Sequence, residues 1–411
     1  MILYIDPGTG SMLFSILIGV VAIIFFMLKA FWIKIKFFIS GGKVDLKNSH
    51  HVPFVIYSED KRYWTVFEPI INEFEKRRIE ITYLTSSEDD PFFNERFEYI
   101  QGLYIGKGNK AFTKLNLLEA DVCIMTTPGL DVYQLKRSKG TKHYSHILHA
   151  VDDATSYRLF GLDYFDSVLL SGEYQIKHLR QLEHQRNLKE KELIVVGSTY
   201  LDSLNNSLSE YENSVDSTSV ILVAPSWGNS SLLNKYGERL LTPLIETGFH
   251  IIVRPHPQTL QNDQKIIDSL ISRYRTEPKL EWDFERNNLK SLSRASLMIS
   301  DFSGVIFDYT FLFRRPVLYS NVEFDSRPYD SWDIDETPWK FEVLQKIGVE
   351  LKEEDFSHIK DLIYRTIDNT TLFENINIAK AKAWNNQGEA GIKVVDYLVE
   401  KQKSISKAIA R

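Results

Sequence analysis

The chain has 411 residues, of which 43% are hydrophobic and 25% charged, and its net charge is −6 at pH 7. The length predicts two or three domains, and the apolar content excludes a disordered or collagen-like chain. Because acidic residues outnumber basic ones, the chain as a whole has no excess positive charge to attract nucleic acid, so we expect no nucleic-acid partner. The single cysteine, Cys123, allows no intramolecular disulfide and no cysteine-based zinc site.

The N-terminal segment predicts a membrane anchor. Residues 11–28 are apolar and uncharged, and as a helix they are long enough to cross roughly 30 Å of hydrocarbon. The flank before them carries only Asp6, whereas lysines follow, so the positive-inside rule places the rest of the chain in the cytoplasm. We therefore predict that residues 1–42 form a single-pass transmembrane anchor in the cell membrane with a basic juxtamembrane segment. The alternative for this apolar run is a buried core helix.

From residue 52 onward, short apolar runs alternate with amphipathic stretches. This alternation predicts parallel sheets covered by helices, and hence an α/β fold of two Rossmann-like doubly wound domains. The polar segment 204–219 is the predicted linker between a first domain at 43–203 and a second at 220–398, which includes a helical tail and is followed by a terminal tail at 399–411. Ligands of such sheets bind beyond the carboxyl ends of the strands, so we expect a cleft between the two domains. The predicted strands of the first domain are 52–57, 79–84, 99–105, 122–126, 146–148, 167–170 and 193–196, and those of the second are 220–224, 250–253, 279–282, 297–299 and 317–319.

Residues 251–257 (IIVRPHP) combine a strand with two polar side chains at its end. Arg254 offers a planar fork for phosphate, and His256 can donate a proton or a positive charge to a phosphate oxygen. The alternative is a surface turn with a structural arginine and a capping histidine.

Residues 297–309 (LMISDFSGVIFDY) predict a strand, a turn and the start of a helix. The free N–H groups at a helix start suit a phosphate, and the Ser303 hydroxyl is an additional donor. Asp308 would lie one turn into the helix. Alternatively, Ser303 or Asp301 serves only as an N-cap.

A third candidate segment is 144–153 (YSHILHAVDD), in which His149 follows a short apolar strand and could act as a general base. A structural histidine is the alternative. His143, His146 and His149 are spaced by three, which suggests metal binding. We expect them not to converge, because alternate side chains of a strand point to opposite faces.

Together these segments resemble the CDP-glycerol glycerophosphotransferase family of teichoic-acid primases and polymerases. The resemblance implies a GT-B fold, in which His256 and the serine-rich turn hold the donor's pyrophosphate and His149 is the base. It implies a substrate-binding set of Arg254, Ser226, Trp227, Ser300, Asp301, Ser303, Gly304 and Asp308, with His149 and His256 catalytic. The motifs that carry it are Ala224-Pro225-Ser226-Trp227, Arg254-Pro255-His256-Pro257, Ser300-Asp301-Phe302-Ser303, Phe307-Asp308-Tyr309 and Arg315-Pro316.

The chain also departs from the family pattern in the loops that would meet the acceptor or the rest of the donor. Where the family commonly has a His-Gly-Thr-Pro-like signature, this chain has His149-Ala150-Val151-Asp152, and Gly197-Ser198-Thr199-Tyr200-Leu201-Asp202 replaces a Gly-x-Pro-Arg-Asn-Asp loop. Gly228 follows Trp227 in place of the family's arginine, and Gly304 follows Ser303 in place of a second serine.

We expect a membrane-anchored cytoplasmic transferase that moves a polyol phosphate from a CDP-alcohol to a hydroxyl of a lipid-linked or polymer acceptor of the cell envelope, releasing CMP. No cofactor and no metal site are predicted. Binding of a divalent cation by Asp152 and Asp153 is an open alternative. Two alternatives remain: a glycosyltransferase or 2-epimerase-like enzyme that uses a UDP-sugar, and an inactive membrane-tethered member that organises envelope-polymer synthesis.

Overall fold

Thirteen strands, all paired in parallel, form two sheets in the described part of this computed structural model, which comprises residues 51–211, 220–285, 287–321 and 324–409. The first sheet contains β1 (Val52–Ser58), β2 (Ile81–Thr85), β3 (Ile100–Tyr104), β4 (Ala120–Met125), β5 (Thr141–Ile147), β6 (Ser167–Leu170) and β7 (Glu192–Val195). The second contains β8 (Val220–Val223), β9 (His250–Val253), β10 (Leu280–Trp282), β11 (Ala295–Ser300), β12 (Val317–Tyr319) and β13 (Gly348–Glu350).

The strand order makes both sheets doubly wound, as predicted. It is β3-β2-β1-β4-β5-β6-β7 in the first sheet and β10-β9-β8-β11-β12-β13 in the second. Each order reverses beside the sheet's first strand, so the crevice where an α/β sheet binds ligands lies between β1 and β4 and between β8 and β11. The predicted α/β class with two parallel sheets is confirmed.

Helices connect these strands. The α-helices of the described residues are α1 (Trp64–Lys76), α2 (Asn109–Leu115), α3 (Ile176–Gln185), α4 (Thr199–Asn206), α5 (Leu232–Tyr236), α6 (Glu238–Glu246), α7 (Pro257–Asn262), α8 (Gln264–Arg273), α9 (Leu289–Arg294), α10 (Val305–Phe313), α11 (Trp339–Ile347), α12 (Ile359–Ile367), α13 (Thr370–Ala383) and α14 (Ala390–Ile409).

The hydrophobic pattern explains the main elements. All six residues of β4 and all four of β8 are buried, as expected for central strands covered on both faces. In α1 the apolar side chains repeat at helical spacing and pack on the first sheet beside Phe54 and Ile56.

Strand β5 is longer than the predicted strand 146–148. Its first part carries polar residues, so the hydrophobicity pattern does not indicate that this part is a buried strand. Hydrogen bonds satisfy these side chains inside the sheet: His143 Nε2 lies 3.0 Å and Ser145 Oγ 2.6 Å from Ser167 Oγ of the neighbouring β6.

Two further elements were not predicted. Strand β13 has three residues, which is too short to show a periodicity. Residues 232–246 form two helices, α5 and α6, because the chain turns at Gly237 with a φ of 42°.

The predicted end of the second domain, residue 398, lies inside helix α14. This helix packs on α1 and the first sheet through Val394, Val395 and Leu398. These residues form one apolar stripe. Because this stripe is buried against the first sheet, the end of the chain packs on the first half. The predicted linker also begins inside a helix, since α4 runs to Asn206; residues 212–219 lie outside the described part.

The predicted membrane anchor, residues 1–42, also lies outside the described residues. Within the part of the chain that the structure describes, no helix is long and apolar enough to cross a membrane.

Candidate functional site

A cavity of about 400 Å³ lies where the carboxyl ends of the two sheets face each other. Most of its walls come from the segments that follow β1 and β5 in the first sheet and β8, β9 and β11 in the second; Tyr200 of α4 and Asn288, after β10, complete the lining. These segments flank the two switch points, where doubly wound sheets bind ligands. The residues that line the cavity are Arg62, Tyr63, Val66, His149, Ala150, Tyr200, Ala224, Pro225, Arg254, Pro255, His256, Pro257, Asn288, Ser303, Gly304, Val305 and Asp308.

His149 forms part of the wall that belongs to the first half. It lies two residues beyond the end of β5, and its Nδ1 is 3.0 Å from the hydroxyl oxygen of Tyr157. This contact leaves Nε2 as the ring nitrogen available to a ligand. Burial and the charge of Arg62 lower the pKa of His149 to about 4, against a smaller opposite effect of Asp152. The imidazole is therefore uncharged at neutral pH, which is the state that a general base requires.

His256 belongs to the opposite wall and caps helix α7. Its Nδ1 accepts a hydrogen bond from the backbone N–H of Gln258 at 3.1 Å, so the proton of the neutral ring is on Nε2. Burial and the charge of Arg62 lower its pKa. His256 is therefore a neutral hydrogen-bond donor in the unliganded cavity. The ring of the half-exposed Trp227 lies 6.4 Å away, centroid to centroid.

The turn from β11 into α10 gives the cavity an uncapped helix start. Gly304 is the N-cap residue of α10, and no side chain caps this end. A Cβ atom added at Gly304 would meet nothing within 4 Å, so there is open space beside this helix start. In its first turn the N–H groups of Ile306 and Phe307 donate to the carbonyl oxygens of Ser303 and Gly304. Such an end attracts an anion through its free donors and the helix dipole.

Asp308 lies one turn into α10, as predicted, and it contacts the first half of the chain. The hydroxyl of Tyr200, from α4, donates a hydrogen bond to Asp308 Oδ2 at 2.8 Å. Burial raises the pKa of Asp308 to about 7, while the side chains of Tyr200 and Asn288 partly offset this effect. This contact joins the two halves at the floor of the cavity.

Arg254 lines the cavity, but its guanidinium is engaged within the second sheet. Nη1 lies 2.5 Å from Asp283 Oδ2, and Nη2 donates to the carbonyl oxygen of Glu285 at 2.6 Å. The guanidinium group that was predicted to bind phosphate thus contacts the segment after β10. The arginine fixes this segment at the rim of the cavity.

Three predicted substrate-binding residues lie behind the cavity wall. The buried Asp301 carboxylate accepts hydrogen bonds from the backbone N–H groups of Ser226 and Leu232, each at 2.9 Å. Ser300 donates to the carbonyl oxygen of Ala224 at 2.6 Å. These contacts join the loops after β8 and β11, so Ser226, Ser300 and Asp301 shape the site without lining it.

Arg62, Tyr63, Tyr200 and Asn288 line the cavity but were not predicted as site residues. For Arg62 and Tyr63 a signal existed, because the polar run Glu59–Arg62 follows β1 directly and the strand-end rule applies there too. Tyr200 and Asn288 offer no comparable signal in the sequence.

The three spaced histidines do not all come together, although two of them share one hydrogen-bond partner. His146 and His149 both contact the Tyr157 hydroxyl at 3.0 Å, because the chain leaves the strand after Ile147 and turns. His143 instead contacts Ser167 and Tyr397.

No group of three or more metal-ligating side chains comes together within the described ranges. Asp152 and Asp153, the two carboxylates considered above as ligands of a divalent cation, make other contacts. Asp152 Oδ2 lies 3.4 Å from Lys340 Nζ, and Asp153 accepts hydrogen bonds from the backbone N–H groups of Trp339 and Lys340.

Solved structures share this fold at low sequence identity. The wall teichoic acid polymerase TagF is 15% identical, with a TM-score of 0.54 over 87% of this chain and 90% of TagF. A TagF variant soaked with CDPG gives 15% identity and a TM-score of 0.56 over 89% and 91% of the two chains. The UDP-GlcNAc 2-epimerase of Methanocaldococcus jannaschii, in complex with UDP-GlcNAc and UDP, is 14% identical, with a TM-score of 0.52 over 85% and 99%. At these identities the similarity shows the fold alone.

The sequence itself matches a family profile. Residues 164–331 match the family described as CDP-glycerol:poly(glycerophosphate) glycerophosphotransferase. No curated protein sequence matches the chain. The matched range contains His256, Ser303 and Asp308 and begins after His149. The sequence match and the shared fold together make residues 164–331 of this chain similar to the CDP-glycerol:poly(glycerophosphate) glycerophosphotransferase family.

Proposed function

We propose that this protein transfers glycerol phosphate, or a related polyol phosphate, from a CDP-alcohol to a hydroxyl group of a membrane-associated envelope acceptor and releases CMP. One observation carries the proposal: His149 of the first half faces, across one cavity, His256 and the uncapped start of α10 in the second half. This arrangement offers a base on one side and an anion site on the other.

The anion site would hold the donor's pyrophosphate. The uncapped start of α10, the Ser303 hydroxyl and the Nε2–H of His256 supply hydrogen bonds, and Arg62 supplies a positive charge. A bound phosphate raises the pKa of a neighbouring histidine, so His256 gains basicity as the donor enters. The same groups stabilise the negative charge that develops on the leaving CMP.

His149 would act on the acceptor. Its Nε2 lone pair takes the proton of the acceptor hydroxyl while the hydroxyl oxygen bonds to the distal phosphorus of the donor. The bond between this phosphorus and the oxygen of CMP breaks, and CMP leaves with the electron pair. Positioning and electrostatics supply most of the rate enhancement in such transfers.

The membrane part of the proposal rests on the N-terminal sequence. An apolar span at residues 11–28 followed by lysines would anchor the protein with its transferase domains on the cytoplasmic side. The cavity would then stay close to a lipid-linked acceptor.

The test is CMP release by the full-length protein in membranes, with CDP-glycerol as donor and a membrane acceptor. We expect His149→Ala and His256→Ala each to lower the rate by about 10²- to 10⁴-fold. His184→Ala is the matched control, because this exposed histidine on α3 lies outside the cavity. Near wild-type CMP release from either cavity variant would contradict the role assigned to that histidine.

A UDP-sugar enzyme is the second candidate, since structures of UDP-GlcNAc 2-epimerases share the fold. Calorimetric titration of the protein with CDP and UDP separates the two: tighter binding of UDP would favour the sugar nucleotide. The altered segment His149-Ala150-Val151-Asp152 motivates a third candidate, an inactive organising protein. Saturable CDP binding with turnover would eliminate it.

A further inference from the structure

The Tyr157 hydroxyl lies between two histidines, only one of which lines the cavity. Tyr157 Oη is 3.0 Å from His149 Nδ1 and 3.0 Å from His146 Nε2. His146 is fully buried, and its ring packs against those of Tyr157 and Phe165. The three polar groups form a chain that runs from the cavity into the core of the first half.

The inner end of this chain has no partner. His146 Nδ1 is buried and makes no hydrogen bond to any described residue. Such an orphaned group costs about 1–3 kcal/mol, so its presence calls for an explanation. The packing of His146 as such does not supply one, since an aromatic residue would fill the same space without this cost.

The hydroxyl couples the protons of the two rings. Tyr157 has one proton, so it can donate to only one histidine and must accept from the other. If it donates to His146 Nε2, both histidines carry their protons on Nδ1 and His149 Nε2 is free. If it donates to His149 Nδ1, both rings carry their protons on Nε2.

Only the first arrangement leaves His149 able to take a proton from a substrate. We propose that Tyr157 and His146 are positioning residues that hold His149 in this tautomer, with the buried Nδ1–H of His146 left unpartnered as the cost. This inference rests on the proposed role of His149 as the base. During transfer the substrate proton stays on His149 Nε2, while the Nδ1–H donates to Tyr157 Oη, so no proton has to move along the chain.

Tyr157→Phe removes the hydroxyl and keeps the ring. We expect kcat for CMP release to fall about 10- to 100-fold, the range found when a hydrogen bond that orients a histidine is lost at metal sites, with the donor KM within about twofold of wild type. Tyr133→Phe is the matched control, since this half-exposed tyrosine makes one long hydrogen bond, 3.4 Å to the carbonyl oxygen of Leu159. An unchanged kcat in Tyr157→Phe would overturn the proposal.

Two variants of His146 separate positioning from packing. His146→Leu keeps an apolar side chain but removes the acceptor, so Tyr157 would donate to His149 Nδ1 and block the base. His146→Gln places an amide where Nε2 stands and restores an acceptor. We expect His146→Gln to exceed His146→Leu in kcat by about tenfold, with equal CDP binding by calorimetry. Equal activity of the two variants would refute the coupling.

A direct readout does not depend on which donor the enzyme uses. Nitrogen-15 spectra of histidine-labelled protein report which ring nitrogen carries the proton. In the wild type we expect both His146 and His149 to be protonated on Nδ1, and in Tyr157→Phe we expect this correlation to be lost. Protonation on Nε2, or on opposite nitrogens in the two rings, would overturn the inference. Absence of CMP release by the wild type would instead overturn the proposed function.

Discussion

The buried carboxyl of Asp308 predicts a stability that falls as the pH rises. Burial raises the pKa of this carboxyl from 3.8 to about 7, and the side chain is only 8% exposed. Between these two values the unfolded chain releases the proton and the folded chain retains it. The unfolded state therefore gains relative stability as the pH rises through this window.

Asp308→Asn removes the titrating group and keeps an oxygen that can accept the hydrogen bond from Tyr200. At about 1.36 kcal/mol per pKa unit, the cost of burying the ionisable group is about 1 kcal/mol at pH 4.5 and about 4 kcal/mol at pH 8. The variant should therefore gain about 3 kcal/mol relative to the wild type between these two pH values.

The measurement is urea-induced unfolding of the full-length wild type and variant across this pH range. Asp268→Asn, at an exposed position of α8, is the matched control. Its free energy of unfolding should stay within about 0.5 kcal/mol of the wild type throughout. A difference between Asp308→Asn and the wild type that is the same at pH 4.5 and pH 8 would show that Asp308 ionises normally in the folded chain, and the reasoning would fail.

Two further predictions concern the cavity charge and the backbone. Arg62→Gln removes the positive charge that lowers the pKa values of His149 and His256, so both titration midpoints should rise in histidine NMR spectra. Unchanged midpoints would show that the charge of Arg62 does not act on these two histidines. Gly197→Ala introduces a Cβ only 2.1 Å from the carbonyl oxygen of Asn385 at a φ of 97°, and it should lower the free energy of unfolding by about 3 kcal/mol or more. Gly388→Ala has a similar φ of 76° but open space around the Cβ, so it should cost about 1–2 kcal/mol; equal losses in the two variants would show that backbone strain, and not the contact with Asn385, decides the cost.

Much of the fold could be predicted because central parallel strands are buried on both faces and appear as continuous apolar runs. Strands β1, β8 and β9 show this pattern, and their predicted bounds differ from the observed ones by at most one residue. Strand β5 lacks the pattern, since partners on β6 satisfy His143 and Ser145. The return of α14 to the first sheet could not be predicted, because an amphipathic helix does not specify which apolar surface it will cover.

The candidate site divides in the same way. The position of a residue just after a strand is a local property, and it suffices to place His256 and Ser303 at the carboxyl edge of the second sheet. What each side chain binds there is decided by segments distant in the sequence. Asp283 engages Arg254, Tyr200 donates to Asp308, and Tyr157 joins His149 to His146.

The amino-acid sequence alone thus determined the α/β class, the strand-end positions of the site residues and the family resemblance, because these depend on local periodicity and short motifs. Only the tertiary structure decided that Arg62 and Tyr200 of the first half complete the cavity of the second, and that His149 is engaged by Tyr157. Hydrogen bonds and charges act over a few ångströms in space, and the residues that supply them here are separated by up to about 200 positions in the chain.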